Sequence, residues 1–317
     1  MLRKNLLPAL LVVAAACGSS NPDQPPAPDG AGQPDSNNPN PDGPVSTATD
    51  PAEDGPDTVA TSTAAIPGSA AGRTLQATVF TPSSSGSHPL VVMSPGFQLE
   101  RTQYTSYAQH LATWGFLVVL TDYADSGFSM DHQKAADDIS SVIDWAIANQ
   151  QVEATAIATA GHSLGGKLSI FAATQDERIG AVVGWDPVDS NSPSVAPQKM
   201  TGMTAAIAVI GETTNGSGGS FGMPCAPTAD NFKTFYAAAP SPALQITFAG
   251  ADHMDWVDDP SCFFCGLCDA GTATPADVRK VSRRLDVAWL RRHLLDDAAM
   301  DTWLLTPPEQ GLAIEHR

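Results

Sequence analysis

The chain has 317 residues with 16 basic and 34 acidic side chains, a formal charge of −18. Such a surface repels polyanions and anionic headgroups, which argues against nucleic acid as a partner and favours neutral or cationic ligands. Five cysteines in a chain of this length matter more than their share suggests, because they bear on the redox compartment.

Residues 1–17 have the pattern of an export leader. Arg3 and Lys4 give a charged start, and residues 6–16 form an apolar core interrupted by Pro8. That core is too short to span a bilayer as an anchor. It ends in Ala14-Ala15-Ala16-Cys17-Gly18, which resembles a bacterial lipobox, so Cys17 is the expected lipidation site. The expectation is a lipid-anchored protein of the bacterial envelope, on the outer membrane or cell surface, with the membrane as a partner through that anchor. Residues 18–58 are rich in Pro, Asp, Asn, Gly and Ser. They hold too little apolar surface to offset ordering entropy, and a disordered tether is expected.

Residues 59–317, about 260 in number, suffice for one large domain. No repeat is apparent in them. Apolar runs predict strands at 75–80, 90–93, 116–120, 154–160, 181–185, 205–210 and 244–248. Helical spacing is found at 104–114, at 135–149, after residue 167, and at 276–295. Strands alternating with helices predict an α/β fold, a mostly parallel central sheet with helices on both faces. Reactive groups are then expected at the carboxyl ends of strands.

One such end carries Gly161-His162-Ser163-Leu164-Gly165-Gly166, between a strand and a helix. This fits the G-x-S-x-G nucleophile elbow of α/β-hydrolases, in which a sharp turn leaves the serine exposed. Serine is a weak nucleophile without an adjacent base, and the base needs an orienting acid. In that fold the order is serine, acid, histidine. His253, His293 and His316 follow Ser163. His253 lies in a loop just past the last strand and is the expected base; His293 sits in a basic run that reads as a solvated face, and His316 in the tail. His162, inside the elbow, should point away from the nucleophile and support it from behind. Asp186, Asp189 and Glu212 all follow strands and remain open as the acid on this reasoning. The oxyanion donors expected are the N–H groups of Leu164, next to the nucleophile, and Phe97, in the loop Pro95-Gly96-Phe97-Gln98.

Together these motifs resemble the chlorophyllase-like α/β-hydrolases, with kinship to platelet-activating-factor acetylhydrolases and to bacterial cutinases or polyester hydrolases. The resemblance rests on Ser94-Pro95-Gly96-Phe97, His110 to Phe116, the elbow, Gly184-Trp185-Asp186-Pro187-Val188-Asp189, Cys225-Ala226-Pro227, and His253-Met254-Asp255. It implies the α/β-hydrolase fold, a Ser163-Asp186-His253 triad, carboxylic ester hydrolysis and an ester substrate, small or polymeric, and no cofactor. The family places its acid in the Asp-Pro-Val motif, which selects Asp186. Leu164 stands where plant chlorophyllases usually have a basic residue, so chlorophyll itself is not implied. An acyltransferase with the same triad and a non-catalytic surface module on this fold are the alternatives.

Cys225, Cys262, Cys265 and Cys268 remain after Cys17. In an exported chain an even number argues for disulfides rather than a metal centre. Bridging partners three apart closes a small strained ring, so Cys225 is expected to pair with one of the other three, steadying the loop that carries His253. Asp252, Asp255, Asp258 and Asp259 surround His253 in sequence and read as solvated carboxylates rather than a calcium site. No metal is expected. The loops 191–201 and 213–231 are expected to shape the substrate pocket.

Overall fold

The computed structural model describes residues 49–125, 127–190, 193–262 and 265–317. The leader at 1–17, Cys17 and the tether up to residue 48 lie outside the described residues. Nine strands form one sheet among the described residues. In chain order the elements are β1 (Val59–Pro67), β2 (Thr74–Pro82), β3 (His88–Ser94), α1 (Thr105–Thr113), β4 (Leu117–Thr121), α2 (His132–Asn149) and β5 (Val152–His162). Then follow α3 (Leu164–Ala173), β6 (Ile179–Trp185), β7 (Ala206–Glu212), α4 (Phe232–Ala238), β8 (Ala243–Phe248), α5 (Pro275–Leu294), α6 (Asp301–Leu305) and β9 (Leu312–His316).

The sheet order is β1-β2-β4-β3-β5-β6-β7-β8-β9. Neighbours from β4 to β8 run parallel, and β1, β2 and β9 pair antiparallel at the edges. This is the α/β-hydrolase arrangement. The parallel strands are apolar on both sides because helices cover both faces. In β3, Leu90 and Val92 pack with Ile139 and Val142 of α2 and Leu168 of α3. The alternate residues Val91 and Met93 pack with Tyr107 and Leu111 of α1 and Leu285 of α5. The period of two in each strand therefore feeds two cores.

Helix ends follow local chemistry. Asp131 caps α2, its side chain accepting from Gln133 and Lys134 N–H. Pro275 opens α5, where its missing N–H costs nothing.

Two expectations need correction. Residues 50–57 do not continue the tether. Asp50 pairs with buried Arg284 at 2.6 Å, the Pro51 carbonyl accepts from His110 Nε2 at 2.8 Å, and Gly55 N–H donates to Thr113 Oγ1 at 2.8 Å. A polar segment docks here through hydrogen bonds and charge, which composition does not register. His316, in the tail, lies in β9. Second, the His293 ring packs 4.0 Å from the Trp289 ring. Burial and then Arg292 push His293 down to about 4, so this is no solvated face.

The cysteines form two disulfides, Cys225–Cys268 and Cys262–Cys265. The first is a pairing of the expected kind. The second joins residues three apart, against the expectation of ring strain. The Cα atoms of Cys262 and Cys265 lie 5.0 Å apart, within the range a disulfide spans without backbone movement. The Cys265 N–H donates to the Cys262 carbonyl at 3.2 Å across the same short span.

Candidate active site

β5 delivers the elbow. Ser163 takes φ 54° and ψ −117°, a strained conformation for a residue with a side chain, between the end of β5 and the start of α3. Three backbone hydrogen bonds hold it: Ser163 N–H donates to the Trp185 carbonyl at 2.9 Å, and the Ser163 carbonyl accepts from Lys167 N–H at 3.1 Å and Val188 N–H at 3.3 Å. The flanking glycines are required by close backbone approach rather than by left-handed φ. A Cβ on Gly161 would lie 2.4 Å from the Gly165 carbonyl carbon, and one on Gly165 would lie 2.2 Å from the Ser94 carbonyl oxygen. The elbow is thus pressed against the end of β3.

His253 sits in the loop after β8, and Asp186 directly follows β6. Ser163 Oγ lies 2.9 Å from His253 Nε2. His253 Nδ1–H donates to Asp186 Oδ2 at 2.6 Å. Asp186 is fully buried and adopts φ 41°, turning its carboxylate towards the loop. Trp185, just before it, is braced from the other side: its indole N–H donates to Asp286 at 3.0 Å. Burial raises the Asp286 carboxyl well above the usual range.

The other two carboxylates go elsewhere. Asp189 accepts from Val195 N–H at 2.9 Å, from Ala196 N–H at 3.0 Å and from Ser194 Oγ at 2.7 Å. It also pairs at 3.4 Å with the ammonium of Lys167, which is fully buried. Glu212 accepts from Thr214 and Asn215 N–H. Only Asp186 of the three hydrogen-bonds the imidazole of His253.

His253 is also held by its backbone. Its N–H donates to Asn215 Oδ1 at 2.7 Å, and its carbonyl accepts from His162 Nε2 at 2.8 Å. The partners fix the tautomer of His162. A carbonyl only accepts, so Nε2 carries the proton. Nδ1 then accepts from the Tyr104 hydroxyl at 2.7 Å, whose oxygen receives the Gly96 N–H at 3.1 Å. Burial, followed by the charge of His253, drives His162 well below the ordinary histidine range, so it remains neutral. His162 and its Tyr104 partner thus connect the elbow, the His253 loop and the loop after β3.

Ser163 and His253 open onto a cavity of about 570 Å³, which Phe97 and Leu164 also line. Leu164 is the first residue of α3, so its N–H has no acceptor inside the helix. The expected pocket loops contribute little: Cys225 comes from 213–231, and no lining residue comes from 193–201 among the described residues. The walls come instead from residues 127–132 and from both disulfides. No sequence signal marked 127–132 as a wall, because a wall is defined by where a loop returns. His132 belongs to this wall, buried and with Nδ1 unpartnered. Its burial, then nearby Lys167, lowers its pKa.

Of the four acidic residues near His253, Asp259 is exposed and the other three are built into the structure. Asp255 is buried and accepts from Asp252 N–H at 2.9 Å. Asp252 accepts from Gly271 N–H at 2.7 Å, and Asp258 from Ser106 N–H at 2.8 Å. These bonds stitch the loop to α1 and to the approach to α5. No cluster of three or more potential metal ligands is present among the described residues.

A family model described as chlorophyllase matches residues 52–310. Among curated proteins, the chain is 27% identical over 247 residues to chlorophyllase-1 of Arabidopsis thaliana, covering 69% of this chain and 76% of that protein. It is 25% identical over 252 residues to the chloroplastic chlorophyllase-1 of Citrus sinensis, covering 73% and 76%. It is 21% identical over 243 residues to cutinase 1 of Thermobifida cellulosilytica, covering 74% and 79%.

Proposed function

The chain belongs to the chlorophyllase family, and on that premise we propose that it is an exported serine esterase whose triad is Ser163, His253 and Asp186. Its relatives make it an ester hydrolase of the serine-hydrolase type; the residues, the acyl-enzyme and the location are the proposal. The observation that carries it is the unbroken chain from Ser163 Oγ to His253 at 2.9 Å and on to Asp186 at 2.6 Å, at the floor of an open cavity.

In this reading His253 takes the proton of Ser163 as the oxygen attacks the ester carbonyl. The tetrahedral oxyanion is met by the N–H groups of Phe97 and Leu164, each such donor being worth about 3 kcal/mol in a transition state. His253 then protonates the leaving alcohol. Water, activated by the same imidazole, releases the acid and restores the serine. Asp186 keeps Nδ1 protonated and Nε2 available throughout, and compensates the imidazolium as it forms.

The substrate class proposed is a neutral carboxylic ester; chlorophyll, which some relatives are named for, is not carried over. Export is supported by the leader-like residues 1–17 and by two disulfides, which persist in oxidising compartments. Lipid attachment at Cys17 and a tether through residue 48 complete the proposal for the N-terminal part.

The test is hydrolysis of p-nitrophenyl esters from C2 to C16 by wild-type protein and by Ser163→Ala. Loss of the serine from such a triad costs about 10⁶ in turnover. Abolished activity is expected, with the chain-length profile defining the acyl pocket. Equal activity in the two proteins would overturn the assignment.

A further inference from the structure

Two buried carboxyl oxygens at the heart of the site have no partner. Asp186 gives Oδ2 to His253 and leaves Oδ1 buried and unpaired. Glu212 gives Oε2 to the Thr214 and Asn215 N–H groups and leaves Oε1 in the same condition. The two residues stand at the carboxyl ends of adjacent parallel strands. Trp185 of β6 is in register with Ile210 of β7. Asp186 N–H donates to the Ile210 carbonyl at 2.6 Å, two residues before Glu212. Glu212 is 2% exposed and Asp186 not at all.

Two carboxyl groups buried at the ends of adjacent strands resist double ionisation, since the second charge meets both repulsion and lost hydration. Asp186 is the one with a use for its charge, because it faces the imidazole N–H. Glu212 has two backbone donors on one oxygen and nothing to neutralise a charge on the other.

We propose that Glu212 is a positioning residue for the Asp186–His253 pair, a neutral carboxylic acid whose proton serves the unpaired Oδ1 of Asp186. The proposal rests on the triad reading above and extends it. The proton stays on Glu212 through the cycle and is not delivered to substrate. Its effect is to hold the Asp186 carboxylate in the plane that His253 needs. The same residue steadies His253 from a second direction. Its Oε2 caps the turn at 213–215, from which Asn215 Oδ1 accepts the His253 N–H at 2.7 Å. From that turn Thr214 Oγ1 also donates to the Ala251 carbonyl at 2.6 Å. Acting on Glu212 are Asp186 from the end of β6 and His253 from the loop after β8. Burial first, then Asp186, raises Glu212 to about 7, with the two backbone donors and His253 opposing. The proton should therefore be present at pH 6 and leave to solvent on the alkaline side.

The test compares Glu212→Gln and Glu212→Leu with wild type across pH 5 to 9. Glutamine reproduces both functions, an acceptor for the 214 and 215 N–H groups and a donor for Asp186, but has no proton to lose. The expected result is kcat within about threefold of wild type at pH 6 for Glu212→Gln, with the rise that His253 imposes kept and the wild-type decline on the alkaline side gone. Glu212→Leu should lose at least tenfold in kcat with KM little changed. A second readout needs no turnover. In the Ser163→Ala background, infrared difference spectra should show the carbonyl band of a buried carboxylic acid vanishing as pH rises, and lacking in Glu212→Gln. An unaltered pH profile in Glu212→Gln, or no titrating carboxylic-acid band assignable to Glu212, would overturn the proposal. Because the infrared result does not depend on ester cleavage, failure of the esterase reading would be seen separately.

Discussion

His162 Nε2–H donates to the carbonyl oxygen of His253 across 2.8 Å, so the residue beside Ser163 holds the backbone of His253. The two imidazole rings lie 4.7 Å apart. Replacing His162 by Ala should leave substrate binding near wild type and lower kcat about 10- to 100-fold, since small misplacements of a catalytic group cost that much. Tyr104→Phe should act through stability instead. It strands the buried Nδ1 of His162, at a cost of about 1–3 kcal/mol. Steady-state kinetics and urea unfolding on the two variants separate these effects.

Asp186 and Asp189 are three residues apart and should fail differently. Asp186→Asn removes the acceptor that fixes the tautomer of His253, and kcat should fall about 10⁴-fold with the fold intact. Asp189→Asn removes the carboxylate that pairs at 3.4 Å with the fully buried Lys167 Nζ. Breaking a buried pair in this way costs about 3–5 kcal/mol. Its signature should be a lowered melting temperature, with the protein that remains folded still active. A large kcat loss in Asp189→Asn at unchanged stability would reverse the two assignments.

The disulfides should differ in weight. Cys225–Cys268 closes a loop of 43 residues, and in the chain-entropy account its removal costs about 4 kcal/mol. Cys262–Cys265 closes three, for about 2 kcal/mol. Double Cys→Ala variants of each pair, followed by thermal unfolding, should reproduce that order. Both bridges line the cavity, so both should also alter the preference for ester chain length.

Asp255 gives a pH dependence of stability. Its burial, opposed by the Asp252 N–H, raises the carboxyl from 3.8 to about 6 in the fold. Between those values the folded chain binds more proton than the unfolded one. Stability therefore falls as pH rises through that window and stays lower above it. Asp255→Asn keeps an acceptor for the Asp252 N–H and removes the charge. It should stabilise the protein at pH 8 by about 1–3 kcal/mol and have little effect at pH 4. Denaturant unfolding at the two pH values measures the difference.

The parallel strands and their helices were legible because each is an apolar run whose alternate residues feed two cores, as Leu90 and Val91 do. Ser163 and His253 were legible because both sit where a strand ends. β1 was not, since its residues are mostly exposed and carry no period of two. β9 is likewise half exposed and only five residues long. Residue types left Asp186, Asp189 and Glu212 equivalent. Their difference lies in what each meets across the sheet: an imidazole, a buried ammonium and a pair of backbone donors. The pocket wall at 127–132 is invisible for the same reason, being set by where a chain returns rather than by what it contains.

The central claim is that Ser163 is the nucleophile of an acyl-enzyme. The most direct measurement is reaction of the wild-type protein with a fluorophosphonate probe, followed by peptide mass spectrometry. A single adduct on Ser163, lost in Ser163→Ala and strongly slowed in His253→Ala, is the predicted result. No adduct, or one on another residue that survives Ser163→Ala, would contradict the account.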